Sequence, residues 1–247
     1  EFTYDLHAGQ ITQKIDANGI KTMATFDGLG RLKSVSKNGN LIEEYSYDDD
    51  TLPNFVTHIT HSSSTFTQTD RTYLDGSGQI LQKRISSETA NQFSVVSSLY
   101  NERGELISQT LPTFENTLAY SGFFVKSPKN NFTYDALGRL TSLETPVGTT
   151  KTLYGSWTKE ITDALGHKKT FHSDAQSRLI QVDEYLNAAS YSTKYEYDLL
   201  GNLTKITDAK GNIRNFQYDS LGRRIFAEDI HAVSDSTFGS SAYEYDS

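Results

Sequence analysis

The sequence is dominated by a short motif, Asp-x-x-Gly, which recurs at near-regular intervals. It occurs eight times, beginning at Asp16, Asp27, Asp75, Asp135, Asp163, Asp198, Asp208 and Asp219. From the numbers of Asp and Gly in the chain, chance would give roughly one copy, so the motif is an internal repeat. Neighbouring copies are 10 or 11 residues apart where they lie closest, which limits the chain to short elements with short connections.

The motif has the chemistry of a tight turn. An aspartate at the first position accepts hydrogen bonds from backbone N–H groups two residues further on. A glycine at the fourth position adopts the positive φ that closes a hairpin loop with a bulge. The remaining residues are enough for strands of ordinary length, about 6–7 residues. The repeat therefore predicts an all-β fold, in which repeated antiparallel β-hairpins form a curved or spiralling sheet.

The full repeat unit begins with an aromatic residue, as in YDALGRLTSL from Tyr134. We expect Tyr134 to face Arg139 or Leu140 across the hairpin, with a modest cation–π contribution from the arginine. The predicted structural turn residues are Asp16, Gly19, Asp27, Gly30, Asp135, Gly138, Asp163, Gly166, Asp198, Gly201, Asp208, Gly211, Asp219 and Gly222. The predicted structural aromatic residues are Tyr4, Phe26, Tyr47, Tyr73, Tyr100, Tyr134, Tyr197, Phe216, Tyr218 and Tyr245.

The strand pattern does not alternate cleanly between apolar and polar residues. Either both sheet faces are partly apolar or bulges shift the register. We predict a single domain over residues 1–247, truncated at both ends within the repeat phase, with irregular inserts near 48–72, 111–131 and 229–243. The insert 111–131 is too apolar for a free linker, so it is expected to pack against a sheet face.

Composition excludes several classes of function. The chain has no cysteine, so it has neither disulfides nor zinc–thiolate sites. A formal charge of −8 without a long Lys/Arg stripe argues against nucleic acid as a partner. Apolar runs fall short of the roughly 18 residues needed to span a membrane as a helix.

Candidate chemical sites are weak. His58 and His61, like His167 and His172, lack a recognised metal-binding pattern and are predicted to be surface residues on or beside strands. The run Asp48–Asp50 suggests calcium, but the glycine and glutamate pattern of an EF-hand is absent. Glu43 and Glu44 are expected on opposite strand faces, which does not suit acid–base catalysis. We therefore predict no catalytic, cofactor-binding or metal-binding residues, and no cofactor.

Two further features have alternative interpretations. Trp157 and the tyrosine-rich faces are suited to stacking against sugar rings, although sheet packing is the favoured role. The glycosylation sequons that begin at Asn131 and Asn202 are interpreted as coincidence.

Tyr134-Asp-Ala-Leu-Gly-Arg-Leu140 and its copies resemble the YD repeat of the Rhs family. That family includes bacterial polymorphic toxins, shell subunits of insecticidal toxin complexes, and teneurins. The resemblance implies a β-shell that encloses a C-terminal effector domain of the same polypeptide, with flanking repeats as the other partner. It also implies a secreted or cell-surface bacterial protein that is not an enzyme. Two alternatives remain: an adhesin-like module that binds glycans or a cell-surface protein, and a polysaccharide-active enzyme.

Overall fold

The computed structural model describes residues 1–5, 9–62, 67–187 and 189–246. Contacts between Cα atoms divide the chain into two compact units, Glu1–Asn131 and Phe132–Ser247. The single domain over residues 1–247 stays a prediction. In the described ranges the chain forms twenty-two strands and no helix, so the predicted all-β class is confirmed.

The first unit is a run of antiparallel strands in which neighbours along the chain pair with each other. Pairing proceeds in sequence order from the first strand to the tenth; the eleventh strand then pairs with the ninth, and the twelfth with the tenth. The strands are β1 (Phe2–Asp5), β2 (Gln10–Ile15), β3 (Lys21–Phe26), β4 (Leu32–Lys37), β5 (Asn40–Asp48), β6 (Asn54–His61), β7 (Thr67–Leu74), β8 (Ile80–Ser86), β9 (Phe93–Tyr100), β10 (Leu106–Thr110), β11 (Thr113–Glu115) and β12 (Lys129–Tyr134).

The second unit repeats the same arrangement with shorter connections. Each strand from the thirteenth onward pairs antiparallel with the next one along the chain. The strands are β13 (Leu140–Thr145), β14 (Gly148–Tyr154), β15 (Thr158–Thr162), β16 (Lys168–Ser173), β17 (Leu179–Leu186), β18 (Ala189–Tyr197), β19 (Leu203–Thr207), β20 (Ile213–Tyr218), β21 (Arg224–Glu228) and β22 (Ser240–Ala242).

Register shifts account for the irregular apolar pattern of the strands. The register changes between Thr25 and Phe26, and equivalent shifts fall between Glu196 and Tyr197 and next to Tyr218. Each shift lies at the residue before a turn, where an extra residue places two positions opposite one. Of the two explanations that the sequence left open, bulges are therefore present.

The three predicted inserts differ from one another. Near 48–72 the chain forms most of the hairpin β6–β7, and residues 63–66 lie outside the described residues. The insert 111–131 packs against the sheet, as predicted, because Tyr73 donates a hydrogen bond from its hydroxyl to the Leu118 carbonyl. Residues 229–243 are joined to the strands by a bond from the Tyr243 N–H to the Ile225 carbonyl, at 3.0 Å.

Few side chains are deeply buried. In the first unit they gather where the insert covers β7, β8 and β9, and they include Tyr73, Gln82, Arg84, Val95 and Ser97. In the second unit they are scattered along the strands. The sheet therefore depends heavily on backbone pairing and on the contacts at its turns. Among the described residues, no helix has the length and hydropathy to cross a membrane.

Candidate functional site

The repeated element of the chain is a turn of five residues, and the turn at Asp135 shows its geometry. The Asp135 N–H donates to the Arg139 carbonyl at 3.0 Å, and the Asp135 carbonyl accepts from the Gly138 N–H at 3.1 Å. One carboxylate oxygen of Asp135 accepts from the N–H groups of Leu137 and Arg139. The aspartate thus closes the turn through both its backbone and its side chain.

The same set of backbone and side-chain hydrogen bonds recurs at the other turns. Asn replaces Asp at one of them and uses its amide oxygen in the same way. The first residues of these turns are Asp16, Asp27, Asp75, Asn101, Asp163, Asp174, Asp198, Asp208 and Asp219. Asn101 and Asp174 begin copies of the repeat that lack the full Asp-x-x-Gly motif.

The fourth turn residue has a positive φ. Gly222 has φ +75°, and at the turn that lacks glycine Ser177 has φ +64°, a conformation that costs an L-residue about 1–2 kcal/mol. The predicted turn glycines with positive φ are Gly19, Gly30, Gly138, Gly166, Gly201, Gly211 and Gly222.

The fifth turn residue joins one turn to the next. In the turn that begins at Asp27, the Arg31 guanidinium pairs with the second carboxylate oxygen of Asp27 at 2.8 Å. The same guanidinium lies 4.0 Å from the centre of the Tyr47 ring. Equivalent stacking joins Arg139 to Tyr154, Arg178 to Tyr197, and Arg223 to Tyr245. Arg139 therefore stacks on the tyrosine that ends the next strand but one, and the expectation that Tyr134 faces Arg139 or Leu140 stays a prediction.

A tyrosine–carbonyl hydrogen bond accompanies this stacking. The Tyr218 hydroxyl donates to the Leu203 carbonyl at 2.9 Å, so the end of β20 is tied to the start of β19. The corresponding bonds run from Tyr47 to Leu32, Tyr100 to Ile80, Tyr154 to Leu140, Tyr197 to Leu179, and Tyr245 to Arg224. In the pairs Tyr197-Asp198 and Tyr218-Asp219, the tyrosine is thus bound to the residue that follows an earlier turn, and the aspartate begins the next turn. Sequence reasoning missed this contact.

The other predicted aromatic residues have different surroundings. Phe26 ends β3 and has no hydroxyl to donate, Tyr134 ends β12, and Tyr4 is exposed in β1. Tyr73 is buried. The last residue before its turn is Leu74, which pairs with Ile80 in the way that Tyr197 pairs with Leu203, so Leu74 stands where other repeats have the tyrosine. Phe216 is also buried, with the Arg214 guanidinium over its ring.

The carboxylates of Asp135 and Asp219 are stabilised in the ionised form. A backbone hydrogen bond and the guanidinium of Arg139 lower the pKa of Asp135 below its ordinary value of 3.8. At Asp219 the Arg223 side chain is the main cause of the lowered pKa, followed by the Arg223 N–H. The turns at Asp135 and Asp219 therefore contain a fixed negative charge, which is balanced by the arginine at the fifth position.

Arg84 forms the most deeply buried polar cluster, which we call the Arg84 cluster (Gln82, Arg84, Ser97, Glu115, Thr117, Ser121 and Gly122). Arg84 is 0% exposed and pairs with Glu115 at 2.8 Å. It also donates to the Gln82 side chain at 2.9 Å and to the Thr117 carbonyl at 2.6 Å. The cluster fastens the insert 111–131 onto β8. It was missed because LQKRIS resembles a solvent-exposed strand.

The histidines in the described ranges are paired with carboxylates or with neighbouring rings. His61 lies 3.2 Å from Glu44, and His58 stacks on Tyr45 with ring centres 4.4 Å apart. His167 lies 2.9 Å from Asp163, the first residue of its turn. Within the described ranges, no group of three or more His, Cys, Asp or Glu side chains is arranged to hold a metal ion.

The carboxylates singled out in the sequence also have protein partners. Asp48 accepts hydrogen bonds from the N–H groups of Asp50 and Thr51, and Asp49 pairs with Arg31 at 2.8 Å. Glu43 accepts from the Tyr45 hydroxyl at 2.9 Å, whereas Glu44 contacts His61. Adjacent acidic residues in this region therefore serve separate contacts.

Trp157 lies beside a shallow cavity of about 420 Å³, lined by Trp157, His172, Ser173, Asp174, Ala175 and Ile180. The indole is 57% exposed. Both carboxylate oxygens of Asp174 are occupied by its own turn, so His172 and Ser173 are the neighbouring groups with polar atoms left for a ligand.

The RHS Repeat family model matches residues 174–213 and 197–225. A search of curated proteins gives no match. Among solved structures, the crystal structure of TcdB2-TccC3 without its hypervariable C-terminal region matches with a TM-score of 0.75 at 13% identity, over 96% of this chain and 20% of that one. A Tc holotoxin pore of Photorhabdus luminescens, with a mutated TccC3, gives a TM-score of 0.74 at 13% identity, over 96% and 20% of the two chains.

The chain spans about a fifth of the length of the solved structures it matches. Its fold defines a class of protein, an antiparallel β-protein built from repeated hairpins with closed turns. Within this fold, residues 174–225 are similar to RHS repeats.

Proposed function

We propose that this chain is a structural section of a β-shell in a secreted bacterial Rhs/YD-repeat protein, and that the shell encloses a C-terminal effector of the same polypeptide. The observation that supports it most is the tyrosine–carbonyl bond, which recurs along the chain and ties one repeat to the preceding one, as from Tyr218 to Leu203. The fold shared with a Tc holotoxin component, at a TM-score of 0.74, is the second support.

The mechanism follows from how the sheet is extended. Each hairpin adds two strands and one closed turn, and its tyrosine and arginine contacts reach only the neighbouring repeat. The sheet can therefore grow in area without a deep core. Its stability is the sum of contributions from each repeat and from the contacts between neighbouring repeats. A thin wall that grows repeat by repeat is suited to enclosing another domain.

We propose a non-catalytic role. His172 and Asp183 lie 2.7 Å apart, which resembles part of a catalytic triad. However, the Ser192 hydroxyl donates to Asp183 and not to the histidine, so the histidine does not activate that serine. Asp183 also accepts from the Gln181 side chain at 2.8 Å, which gives the pair the form of a structural hydrogen-bond network.

Protection from protease tests the containment role. The polypeptide encoded by the complete reading frame is treated with protease, and cleavage of any segment that follows the repeats is followed by mass spectrometry. We expect that segment to be protected in the wild type and cleaved faster in a Tyr197→Phe/Tyr218→Phe variant. Tyr191→Phe is the control, since this hydroxyl has no partner among the described residues. Equal cleavage of wild type and double variant contradicts containment.

A glycan-binding surface is the second candidate function, and the cavity beside Trp157 favours it. An exposed indole presents a flat apolar surface to a sugar ring, and the Ser173 hydroxyl has no protein partner within the described residues. A glycan array with the wild type and Trp157→Ala tests this. Binding that Trp157→Ala abolishes supports the candidate, and no binding by the wild type removes it.

A further inference from the structure

Several turns of the second unit expose a leucine to solvent. Leu137, Leu200 and Leu221 occupy the third position of their turns and are 78%, 76% and 76% exposed. Leu199, which precedes Leu200, is fully exposed at 104%. Solvent-exposed apolar residues that recur in a row are typical of a surface that another molecule covers.

The turn itself does not need leucine at this position. The third residue contributes only its N–H, which donates to the first aspartate, as from Leu221 to Asp219 at 2.9 Å. Other turns of the chain make the same bond from a polar residue, namely Ser77, Gln176 or Lys210. The leucines therefore require an explanation other than the stability of the turn.

These leucines lie along one edge of the second unit. Successive turns on that edge touch: the Ser173 N–H donates to the Trp157 carbonyl at 2.8 Å, and an Arg178 guanidinium N–H donates to the Asp198 carbonyl at 3.4 Å. Turns on the same edge are two strands apart, so they repeat at about 10 Å. We call the row Leu137, Trp157, Leu199, Leu200 and Leu221 the leucine edge.

The charges along the leucine edge are nearly balanced, although the chain as a whole carries −8. Asp174 is paired with Arg178 at 2.7 Å, and Asp219 with Arg223 at 2.7 Å. Asp135 is paired in the same way with Arg139. Two such edges can therefore approach each other without strong repulsion between like charges.

We propose that the leucine edge docks against the leucine edge of a second copy of this chain. The turns of the two edges have the same spacing of about 10 Å, so leucines of one copy fit between turns of the other in a two-fold arrangement. Four exposed leucines offer on the order of 500 Å² of apolar surface, and a pair of edges buries roughly 1,000 Å², the lower end of specific interfaces. The association is therefore weak and reversible. The contact is independent of any enclosed effector, so its failure leaves the proposed function standing.

Analytical ultracentrifugation of the 247-residue chain over a wide concentration range tests the proposal. We expect a reversible monomer–dimer equilibrium for the wild type. Leu137→Gln/Leu200→Gln/Leu221→Gln introduces the residue that already occupies the position at Gln176, and it should weaken dimerisation by about a hundredfold. The melting temperature of each variant is measured to show that it remains folded.

The matched control removes three other exposed leucines from the second unit, in Leu153→Gln/Leu165→Gln/Leu186→Gln. Leu153 lies within β14, and Leu165 lies in a turn at the opposite edge. We expect this control to dimerise like the wild type. A wild type that stays monomeric, or a control that loses dimerisation as fully as the edge variant, overturns the proposal. Binding of monomeric wild type to phosphatidylcholine vesicles, lost in the edge variant, overturns it in favour of a lipid surface.

Discussion

Strands β18–β21 and strands β7–β9 have the same antiparallel pairing, but different side-chain contacts hold them together. In β18–β21 the contacts lie at the turns, where Tyr197 and Tyr218 bind carbonyls of the preceding repeat. In β7–β9 they lie in mid-sheet, where Arg84 is buried beneath the insert 111–131 and paired with Glu115. The first arrangement can be repeated along the chain, whereas the second needs a covering segment.

The comparison shows why the deepest burial falls where the repeat is least regular. In a regular hairpin, the side chains contact only the neighbouring strands and turns of the repeat. Most of these side chains stay partly exposed. Where the insert covers the sheet, polar groups lose water and must find protein partners. A mutation should therefore have the largest effect beneath the insert and smaller effects at single turns.

The largest effect is expected for Arg84→Ala. This change leaves Glu115 and Gln82 without their charged partner in a buried site, at a cost of about 3 kcal/mol. Urea unfolding, followed by the fluorescence of the tyrosines and Trp157, measures the loss. Arg103→Ala is the control, because its bond to Glu105 lies at an exposed turn. Equal stability of Arg84→Ala and the wild type would contradict a stabilising role for the Arg84 cluster.

The next largest effect is expected for Gly222→Val. A β-branched residue at φ +75° is strained and should destabilise the protein by about 2 kcal/mol. Gly28→Val is the matched control, since Gly28 lies in a turn without a positive φ and with open space around it. The converse change, Ser177→Gly, should raise the thermal midpoint. An unchanged midpoint in Gly222→Val counts against the turn geometry.

Tyr218→Phe should have a smaller effect. It removes the hydroxyl that donates to Leu203 and keeps the ring, so a loss of about 1 kcal/mol is expected. Thermal unfolding measures it against Tyr191→Phe, whose exposed hydroxyl has no partner among the described residues. If both variants have the same thermal midpoint as the wild type, the tyrosine–carbonyl bond contributes nothing to the stability of the repeat.

The smallest effect at neutral pH is expected for Asp219→Asn, because Asn101 already forms the same turn. The folded pKa of Asp219 is lowered, so its stabilising contribution is present above the unfolded pKa and is lost as pH falls through the folded one. The thermal midpoint of the variant should therefore fall less steeply below pH 3.8 than that of the wild type. Identical acid profiles would show that this carboxylate is not coupled to folding.

The sequence predicted the fold class because each turn is a local feature, as Asp135 and Gly138 show. The position of Tyr73 was beyond sequence reasoning, since one extra residue before its turn moves it to the opposite face. The tyrosine–carbonyl bond was missed because it joins residues that are 15 positions apart on neighbouring strands, such as Tyr218 and Leu203. Such a contact depends on register shifts that a single sequence does not specify.

The direction of the tyrosine–carbonyl bonds has a consequence for synthesis. Apart from Tyr73, which bonds forward to Leu118, each hydroxyl reaches back to a carbonyl earlier in the chain, 15 residues before Tyr218 and 20 residues before Tyr100. A chain that leaves the ribosome from its N-terminus can therefore complete each of these backward bonds as soon as its tyrosine emerges, without waiting for later sequence. Because these bonds span short stretches of chain, closure entropy is small. The wall can be laid down in the order in which it is translated.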